Sequence, residues 1–278
     1  MNQPEIKRVG VIGLGKMGLP IGRLVHERGF PVSGYDVALP ALKAAAAAGI
    51  QPVNSPKAVA AASDLVIVAV GFDYEAEAAM FGDNGLLAGA ADGSVIAVAA
   101  TVAPRTMKKL SARLPAQPSI ALLDIPLCRG EAAAQEGKLL IMGGGDTAVF
   151  DACRGVFAAF ADAVFHLGPL GAGQVGKMVN NLILWATISA NEEALGLGEK
   201  FGVDPETLRP ALIQSSACNW ALVARPEERP MPWAEKDMGI ALREADAMRM
   251  SVPLCGVVKE VIKAIKVKRN WPTPAAED

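Results

Sequence analysis

The sequence predicts an α/β fold: a doubly wound parallel sheet, then a long helix, then an all-α C-terminal domain. Three observations indicate it. Short apolar runs alternate with helical patterns over residues 1–170, which is typical of a parallel sheet covered by helices. The stretch from Gln174 to Lys200 contains no proline and predicts one long helix. Only helical patterns follow it with comparable strength, so we expect two domains, residues 1–170 and 171–278, joined by that helix.

Each predicted strand is a short apolar run between turn residues, as expected of strands buried on both faces. In chain order the predicted strands are Arg8–Ile12, Val32–Tyr35, Asp64–Val70, Ser94–Ala99, Ile120–Asp124, Leu139–Gly143 and Ala163–Leu167. The first predicted helix ends at Arg28, before Gly29, because glycine commonly follows the end of a helix. The other predicted helices are Leu39–Ala48, Pro104–Leu114, Gln174–Lys200, Pro205–Gln214, Trp233–Met248 and Pro253–Lys268.

The composition excludes several functional classes. The 278 residues include 27 Lys and Arg against 29 Asp and Glu, a net charge of −2, which argues against nucleic acid or an acidic membrane as partner. Residues 1–7 show no basic head followed by an apolar core, so we expect no signal segment. No apolar run reaches the roughly 18 to 20 residues that a membrane helix needs. Four scattered cysteines and two histidines form no metal-binding motif. We expect a reduced, cytoplasmic protein without a metal.

A glycine-rich loop connects the first predicted strand to the first predicted helix. It reads GxGxxG, and this context makes the motif typical of a dinucleotide site in a Rossmann-type domain. Gly13 allows the tight turn, Gly15 leaves room for a pyrophosphate, and Gly18 permits close packing of helix on strand. The helix start also offers free N–H groups to phosphates. The predicted cofactor-binding residues of this loop are Gly13, Leu14, Gly15, Lys16, Met17 and Gly18. The alternative is a glycine turn in a non-binding α/β domain.

Asp36, at the end of the second predicted strand, indicates which dinucleotide binds. A carboxylate there accepts hydrogen bonds from the ribose hydroxyls of NAD and repels the 2′-phosphate of NADP. The next residues, from Val37 to Leu39, supply no basic partner for such a phosphate. We therefore expect NAD to be preferred over NADP.

Three further segments follow the glycine motif in order: Asp124–Gly130 (DIPLCRG), Gly171–Asn181 (GAGQVGKMVNN) and the pair Lys236-Asp237. With these four motifs, nearly the whole chain resembles the β-hydroxyacid dehydrogenase family, which includes 3-hydroxyisobutyrate dehydrogenase and tartronate semialdehyde reductase. The resemblance implies hydride transfer between a small 3-hydroxy acid or semialdehyde and NAD(P), in a homodimer or homotetramer. The longer 6-phosphogluconate dehydrogenase is similar at the start but needs a much larger helical domain.

The resemblance implies that Lys177 is the catalytic lysine and that Asn181 binds the substrate beside it. The two are four residues apart on a predicted helix and therefore share a face. A lysine in a partly dry cleft can exchange a proton with an alcohol near neutral pH. The alternative for Lys177 is a solvated lysine on a helix surface. Two successive asparagines are poor helix formers, so their presence at residues 180 and 181 favours a catalytic role for Lys177 over a solvated surface position.

The substrate loop departs from the family pattern, which has Ser-Gly-Gly where this chain has Cys128, Arg129 and Gly130. Cys128 is a weaker hydrogen-bond partner than serine. Its use as a nucleophile needs an activating group that the sequence does not reveal. Arg129 makes costly any positive φ that a glycine at this position would adopt freely. Its guanidinium either grips a substrate carboxylate or points to solvent, and the sequence favours neither reading.

The resemblance also implies roles for Thr101 beside the nicotinamide, Lys236 beside the substrate and Asp237 beside the cofactor. Lys236 could instead be a surface lysine paired with Glu235. The active cleft is expected between the two domains, near the carboxyl ends of the strands. Two other functions stay open. One is a reductase of a small aldehyde acid, keto acid or imine, and the other is a dinucleotide-binding protein without catalysis.

Overall fold

The computed structural model describes residues 5–225 and 229–274 of the chain. Its backbone contacts divide the chain into two compact units, Met1–Lys177 and Met178–Asp278. The first unit includes the opening residues of the long helix, which were assigned to the second domain in the sequence analysis.

Nine strands of the described residues form one sheet in the first unit. They are β1 Val9–Ile12, β2 Val32–Tyr35, β3 Gln51–Pro52, β4 Leu65–Val68, β5 Val95–Val98, β6 Ala121–Asp124, β7 Leu127–Cys128, β8 Leu139–Gly144 and β9 Ala161–Gly168. The order is β3-β2-β1-β4-β5-β6-β8-β7, with β9 on β8. From β3 to β6 every pairing is parallel, whereas β8 is antiparallel to β6 and β7. The doubly wound parallel sheet is therefore confirmed from β3 to β6, and the antiparallel pairings of β8 make the sheet mixed at its other end.

Along the chain, the helices of the first unit occur in the segments that connect these strands. They are α1 Gly18–Glu27, α2 Leu39–Ala47, α3 Pro56–Ala61, α4 Asp73–Phe81, α5 Pro104–Ala112, α6 Gly130–Glu136 and α7 Thr147–Phe157, with a short 3₁₀ helix at Leu86–Ala88. The sequence analysis missed α3, α4, α6 and α7. Two of them carry a side-chain cap: Ser55 accepts from Ala58 N before α3, and Asp146 accepts from Val149 N before α7.

The parallel strands are buried on both faces. Alternate side chains enter opposite cores, as the two-residue period of a strand requires. One core contains Val9, Val11, Leu65, Ile67, Val95 and Ala97, and the other contains Ile12, Val66, Val68, Ile96 and Val98. This two-sided burial explains why these strands are continuous apolar runs.

Among its described residues, the second unit contains helices joined by loops and no strand. The long helix α8 Ala172–Lys200 enters it and is followed by α9 Pro205–Ile213, α10 Trp220–Ala224, α11 Ala234–Ala247 and α12 Pro253–Lys268. Its core includes Trp185, Met238 and Ile262. Lys266 is only 2% exposed and bonds to Glu235 at 3.0 Å. No helix in the described part of the chain is long and apolar enough to span a membrane.

Candidate active site

The three motif glycines occupy different environments. Gly13 has φ +84°, and a Cβ there would lie 2.7 Å from the carbonyl oxygen of Ala69. A Cβ on Gly18 would overlap the carbonyl oxygen of Gly13. A Cβ on Gly15 would meet no protein atom within 4 Å. Two glycines are therefore needed for the backbone itself, and the third leaves open space in front of α1, where a phosphate is stabilised by N–H groups.

Asp36 ties the end of β2 to this loop. One carboxylate oxygen accepts from Leu14 N at 2.7 Å, and the other accepts from Ala38 N at 2.8 Å. Each oxygen keeps a further lone pair for a ribose hydroxyl. Lys16, next in the loop, pairs with Glu131 at 3.1 Å, and both side chains are well exposed. The open space at Gly15 and the partly exposed Asp36 together fit a dinucleotide.

Asp124 holds the first turn of α8 against the end of β6. Its carboxylate is fully buried and accepts from Gly171 N and Gln174 N, both at 2.7 Å. Burial raises the pKa of Asp124 above its ordinary value, and these N–H bonds oppose that shift. The N-terminal end of α8 is thus anchored through the N–H groups that a helix start leaves without partners.

Gln174 connects the same turn to the loop after β5. Its side chain is buried, its Nε2 donates to Ala100 O at 2.8 Å, and its Oε1 accepts from Val102 N at 3.1 Å. Thr101 lies between these two anchored residues and is partly buried. The amide side chain of Gln174 therefore ties the loop that carries Thr101 to α8.

Lys177 and Cys128 are in contact. The Nζ atom of Lys177 lies 3.7 Å from Sγ of Cys128, within the range of a hydrogen bond to sulfur. Cys128 is 6% exposed and belongs to β7. The sequence revealed no partner for this thiol, and the structure places the predicted catalytic lysine against it. Asn181 is buried one helical turn beyond Lys177, and its Oδ1 accepts from Asn180 Nδ2 at 2.9 Å.

Arg129 adopts the left-handed backbone conformation that a glycine would favour, with φ +84°. Its guanidinium donates to Lys138 O at 2.9 Å and forms an ion pair with Asp162 on β9. The sequence analysis offered two interpretations of Arg129, binding of a substrate carboxylate or exposure to solvent. Neither of them included an ion pair with Asp162. Gly130 follows with φ +80°, and a Cβ there would meet no atom within 4 Å.

The pair Lys236-Asp237 lies in the first turn of α11. Asp237 is buried, and its Oδ2 accepts from the indole nitrogen of Trp185 on α8 at 3.0 Å. Lys236 is partly buried, with Nζ 5.5 Å from the ring centroid of Trp233. Glu235, the alternative partner for Lys236, contacts Lys266. Among the described residues, no group of three or more His, Cys, Asp or Glu side chains could hold a metal ion.

Comparisons with known proteins cover both units. The family model for the NAD binding domain of 6-phosphogluconate dehydrogenase matches residues 8–168. A second model, for the NAD-binding region of NADP-dependent 3-hydroxyisobutyrate dehydrogenase, matches residues 171–270. The chain is 32% identical to the NAD-dependent L-serine dehydrogenase of Pseudomonas aeruginosa, over 90% of this chain and 89% of that protein. It is also 32% identical to the 3-hydroxyisobutyrate dehydrogenase of the same organism, over 91% and 90%. This chain belongs to the β-hydroxyacid dehydrogenase family.

A solved structure shows the same fold as this dehydrogenase. The 3-hydroxyisobutyrate dehydrogenase of Mycobacterium tuberculosis, described with L-serine, has a TM-score of 0.85 at 24% identity, over 96% of both chains. Family membership confirms the predicted fold class, the oxidoreductase class and an NAD(P) cofactor. The roles of individual residues stay predictions.

Two residues that hold the elements of the candidate site together escaped the sequence analysis. Asp124 and Gln174 were quoted within motifs, but neither was assigned a role. An aspartate at the end of a buried strand is a signal that could have pointed to Asp124, because a buried carboxylate needs partners. Nothing comparable marks Gln174, since its side-chain partners lie 72 and 74 residues away in the chain.

Proposed function

We propose that this dehydrogenase oxidises a small 3-hydroxy acid with NAD and that Lys177 carries the hydroxyl proton. The observation that carries the proposal is the contact between Lys177 Nζ and Cys128 Sγ at 3.7 Å. It brings the lysine to the loop that the family resemblance assigns to the substrate. Both lie on the side of the sheet where the carboxyl ends of parallel strands form ligand sites.

The cofactor would be held by the glycine loop from Gly13 to Gly18, by Asp36, and by Thr101 at its nicotinamide end. Asp36 favours NAD, because a carboxylate at the end of β2 repels the 2′-phosphate of NADP. When bound, the nicotinamide ring supplies the acceptor or donor of hydride. The open space beside Gly15 supports this placement.

Lys177 would accept the proton of the substrate hydroxyl during oxidation and return it during reduction. Asn181, one turn along α8, would donate an amide hydrogen bond that orients the hydroxyl. Asp124 would keep the start of α8 in place through Gly171 N and Gln174 N. The chain thus provides the geometry and the proton route.

The substrate carboxylate would be bound by the loop Cys128–Gly130. Because the Arg129 guanidinium is bonded to Lys138 O and Asp162, we assign the anchoring contacts to the backbone N–H of Gly130 and to Cys128. Lys236, at the start of α11, is proposed to bind the substrate through its positive charge. Asp237 is proposed to contribute to cofactor binding. Serine and 3-hydroxyisobutyrate, which give two of the relatives their names, both carry a hydroxyl two carbons from a carboxylate.

Reduction of a small aldehyde acid, the runner-up function, uses the same residues in the opposite direction. An imine or a larger keto acid would need more space beside the altered loop. The contact of Lys177 with Cys128 gives no support to a non-catalytic dinucleotide-binding protein, which has no use for a lysine at this position.

We further propose that the protein is cytoplasmic and forms a homodimer or homotetramer. The exposed apolar side chains of Val179 and Ile183 on α8 support an interface between subunits.

The proposal is tested by nicotinamide absorbance with a panel of 3-hydroxy acids, each offered with NAD and separately with NADP. The panel contains L-serine, 3-hydroxyisobutyrate and one dicarboxylic member. We expect NADH to form with at least one small member and NAD to be used more efficiently than NADP. No turnover in either direction, with NADH binding intact and aldehyde acids included, would contradict the proposed function.

A further inference from the structure

The loop after β5 and the start of α8 are joined through one buried side chain. Gln174 is 1% exposed, and its amide forms two hydrogen bonds, one to Ala100 O at 2.8 Å and one from Val102 N at 3.1 Å. Such a pair fixes both the donor and the acceptor orientation of the amide. The loop residues 100–102 are thereby held at both ends.

The backbone of the same residue is also fixed. Gln174 N donates to Asp124 Oδ2 at 2.7 Å, and Gly171 N donates to Asp124 Oδ1 at 2.7 Å. Asp124 is the last residue of β6, and the loop bonded to the Gln174 side chain follows β5, the neighbour of β6. The first turn of α8 is therefore bonded next to the ends of both strands. Lys177 follows Gln174 by three residues, less than one helical turn. The position of Lys177 and that of residues 100–102 are thus coupled through Gln174.

The sheet topology indicates which half of the dinucleotide meets this loop. The strand order reverses at β1, which has β2 on one side and β4 on the other. A dinucleotide lies across such a reversal with one half on each side. Asp36 follows β2 and marks the side of the adenosine ribose. The nicotinamide half then falls on the side of β4 and β5, where Thr101 lies between the two bonds of Gln174.

We propose that Gln174 is a positioning residue that sets the nicotinamide end of the cofactor relative to Lys177. It acts through the loop 100–102 and touches neither substrate nor cofactor itself. This inference rests on the proposed function for the role of Lys177. Its consequence for cofactor binding, however, can be measured without any substrate.

The test compares NADH with ADP-ribose, which lacks the nicotinamide. Gln174→Met keeps the side-chain length and removes both hydrogen bonds. We expect the Kd of NADH, measured by its fluorescence, to rise about 10-fold, because the loop 100–102 loses the two hydrogen bonds that hold it in place. The Kd of ADP-ribose, measured by displacement of NADH, should stay within about 2-fold of wild type.

Ser63→Ala is the matched control. Ser63 is also buried, and its only described side-chain bond is with Ser33 Oγ at 3.2 Å. We expect it to lower thermal stability without changing the affinity for either ligand. Should Gln174→Met not fold, Gln174→Glu serves instead, because it keeps an acceptor for Val102 N and loses the donor to Ala100 O.

Equal weakening of both ligands in the Gln174 variant would overturn the proposal, since it would indicate a general structural role. An unchanged Kd for both ligands would also overturn it. Failure of the wild-type enzyme to oxidise any hydroxy acid would instead reject the proposed function, and the two ligand affinities would still decide the role of Gln174.

Discussion

The cofactor end and the substrate end of the candidate site are built differently. At the cofactor end, the glycine loop is determined by backbone conformation and close packing, with a positive φ at Gly13 and direct contact between Gly18 and Gly13. At the substrate end, side chains fix the structure: Arg129 binds Asp162, and Cys128 contacts Lys177. Backbone requirements leave a signature in the sequence, whereas the choice of partner by a long side chain does not.

The largest expected effect separates two glycines of the same motif. Gly18→Ala forces a Cβ into the Gly13 carbonyl and should lower the free energy of unfolding by about 3 kcal/mol or more. Gly15→Ala adds a Cβ in open space, so stability should change by less than about 0.5 kcal/mol. Its Kd for NADH should rise about 10- to 100-fold, because the methyl group blocks the approach of the pyrophosphate. Urea unfolding and NADH fluorescence measure the two quantities. Equal stability losses in both variants would show that the glycine loop has been assigned incorrectly.

The second prediction concerns the choice of cofactor at the same end. Asp36→Ala combined with Val37→Arg removes a carboxylate and adds a cation at a position that is 89% exposed in the native side chain. We expect the preference for NADH over NADPH, measured as a ratio of Kd values, to fall about 10- to 100-fold. Val37→Arg alone is the control for the added charge. An unchanged ratio in the double variant would mean that Asp36 does not discriminate the 2′-phosphate.

A third prediction tests whether the start of α11 depends on a side-chain pair. The charge and hydrogen bond of Lys266 hold the pKa of Glu235 below its ordinary value, against the opposite and largest contribution from burial. Glu235→Gln should therefore lower the free energy of unfolding at pH 7 by about 1.5–3 kcal/mol. A carboxyl with a lowered folded-state pKa contributes stability above its unfolded pKa and loses it as pH falls through the folded value. The difference from wild type should accordingly shrink in acid.

Urea unfolding at pH 7 and again below the ordinary glutamate pKa of 4.5 measures this difference. The control is Glu235→Leu with Lys266→Met, which removes both charges and should lie closer to wild type than the single variant does. A difference that grows as the pH falls would contradict the assignment.

The smallest expected effect is at Arg129. Arg129→Gly removes an ion pair between exposed side chains, worth about 0–1 kcal/mol, and relieves the positive φ. Stability should therefore change by less than about 1 kcal/mol. Because the guanidinium is bonded to Asp162, the KM for the hydroxy acid should stay within about 3-fold of wild type. Asp162→Asn, which removes the charge of the partner and keeps the guanidinium, is the matched variant. A KM rise well beyond 10-fold in Arg129→Gly alone would restore the grip on substrate that the sequence left open.

Much of the fold could be predicted because burial on both faces makes the central strands continuous apolar runs. Helix α12, Pro253–Lys268, was predicted with the bounds it has in the structure. The strand predicted at Asp64–Val70 is shorter, Leu65–Val68, because pairing with β1 and β5 ends before the apolar run does. Strands β3 and β7 have two residues each, which is too short for a periodic pattern.

The site was less predictable where long-range side-chain contacts decide it. The glycine motif and Asp36 were found because their spacing reflects local backbone geometry. Helix α6 was missed because it starts from a left-handed Arg129, a conformation that arginine seldom adopts. The partners of Gln174 and of Cys128 are distant in the chain, so no local pattern could identify them.

The measurement that tests the central claim most directly is turnover per NADH-binding site in Lys177→Met, with Lys200→Ala at the far end of α8 as control. Removal of a general acid–base group should reduce kcat about 10²- to 10⁴-fold, while the Kd of NADH stays near that of wild type. Lys200→Ala should retain wild-type kcat. A Lys177→Met enzyme that turns over within about 3-fold of wild type would contradict the role of Lys177 as the proton carrier.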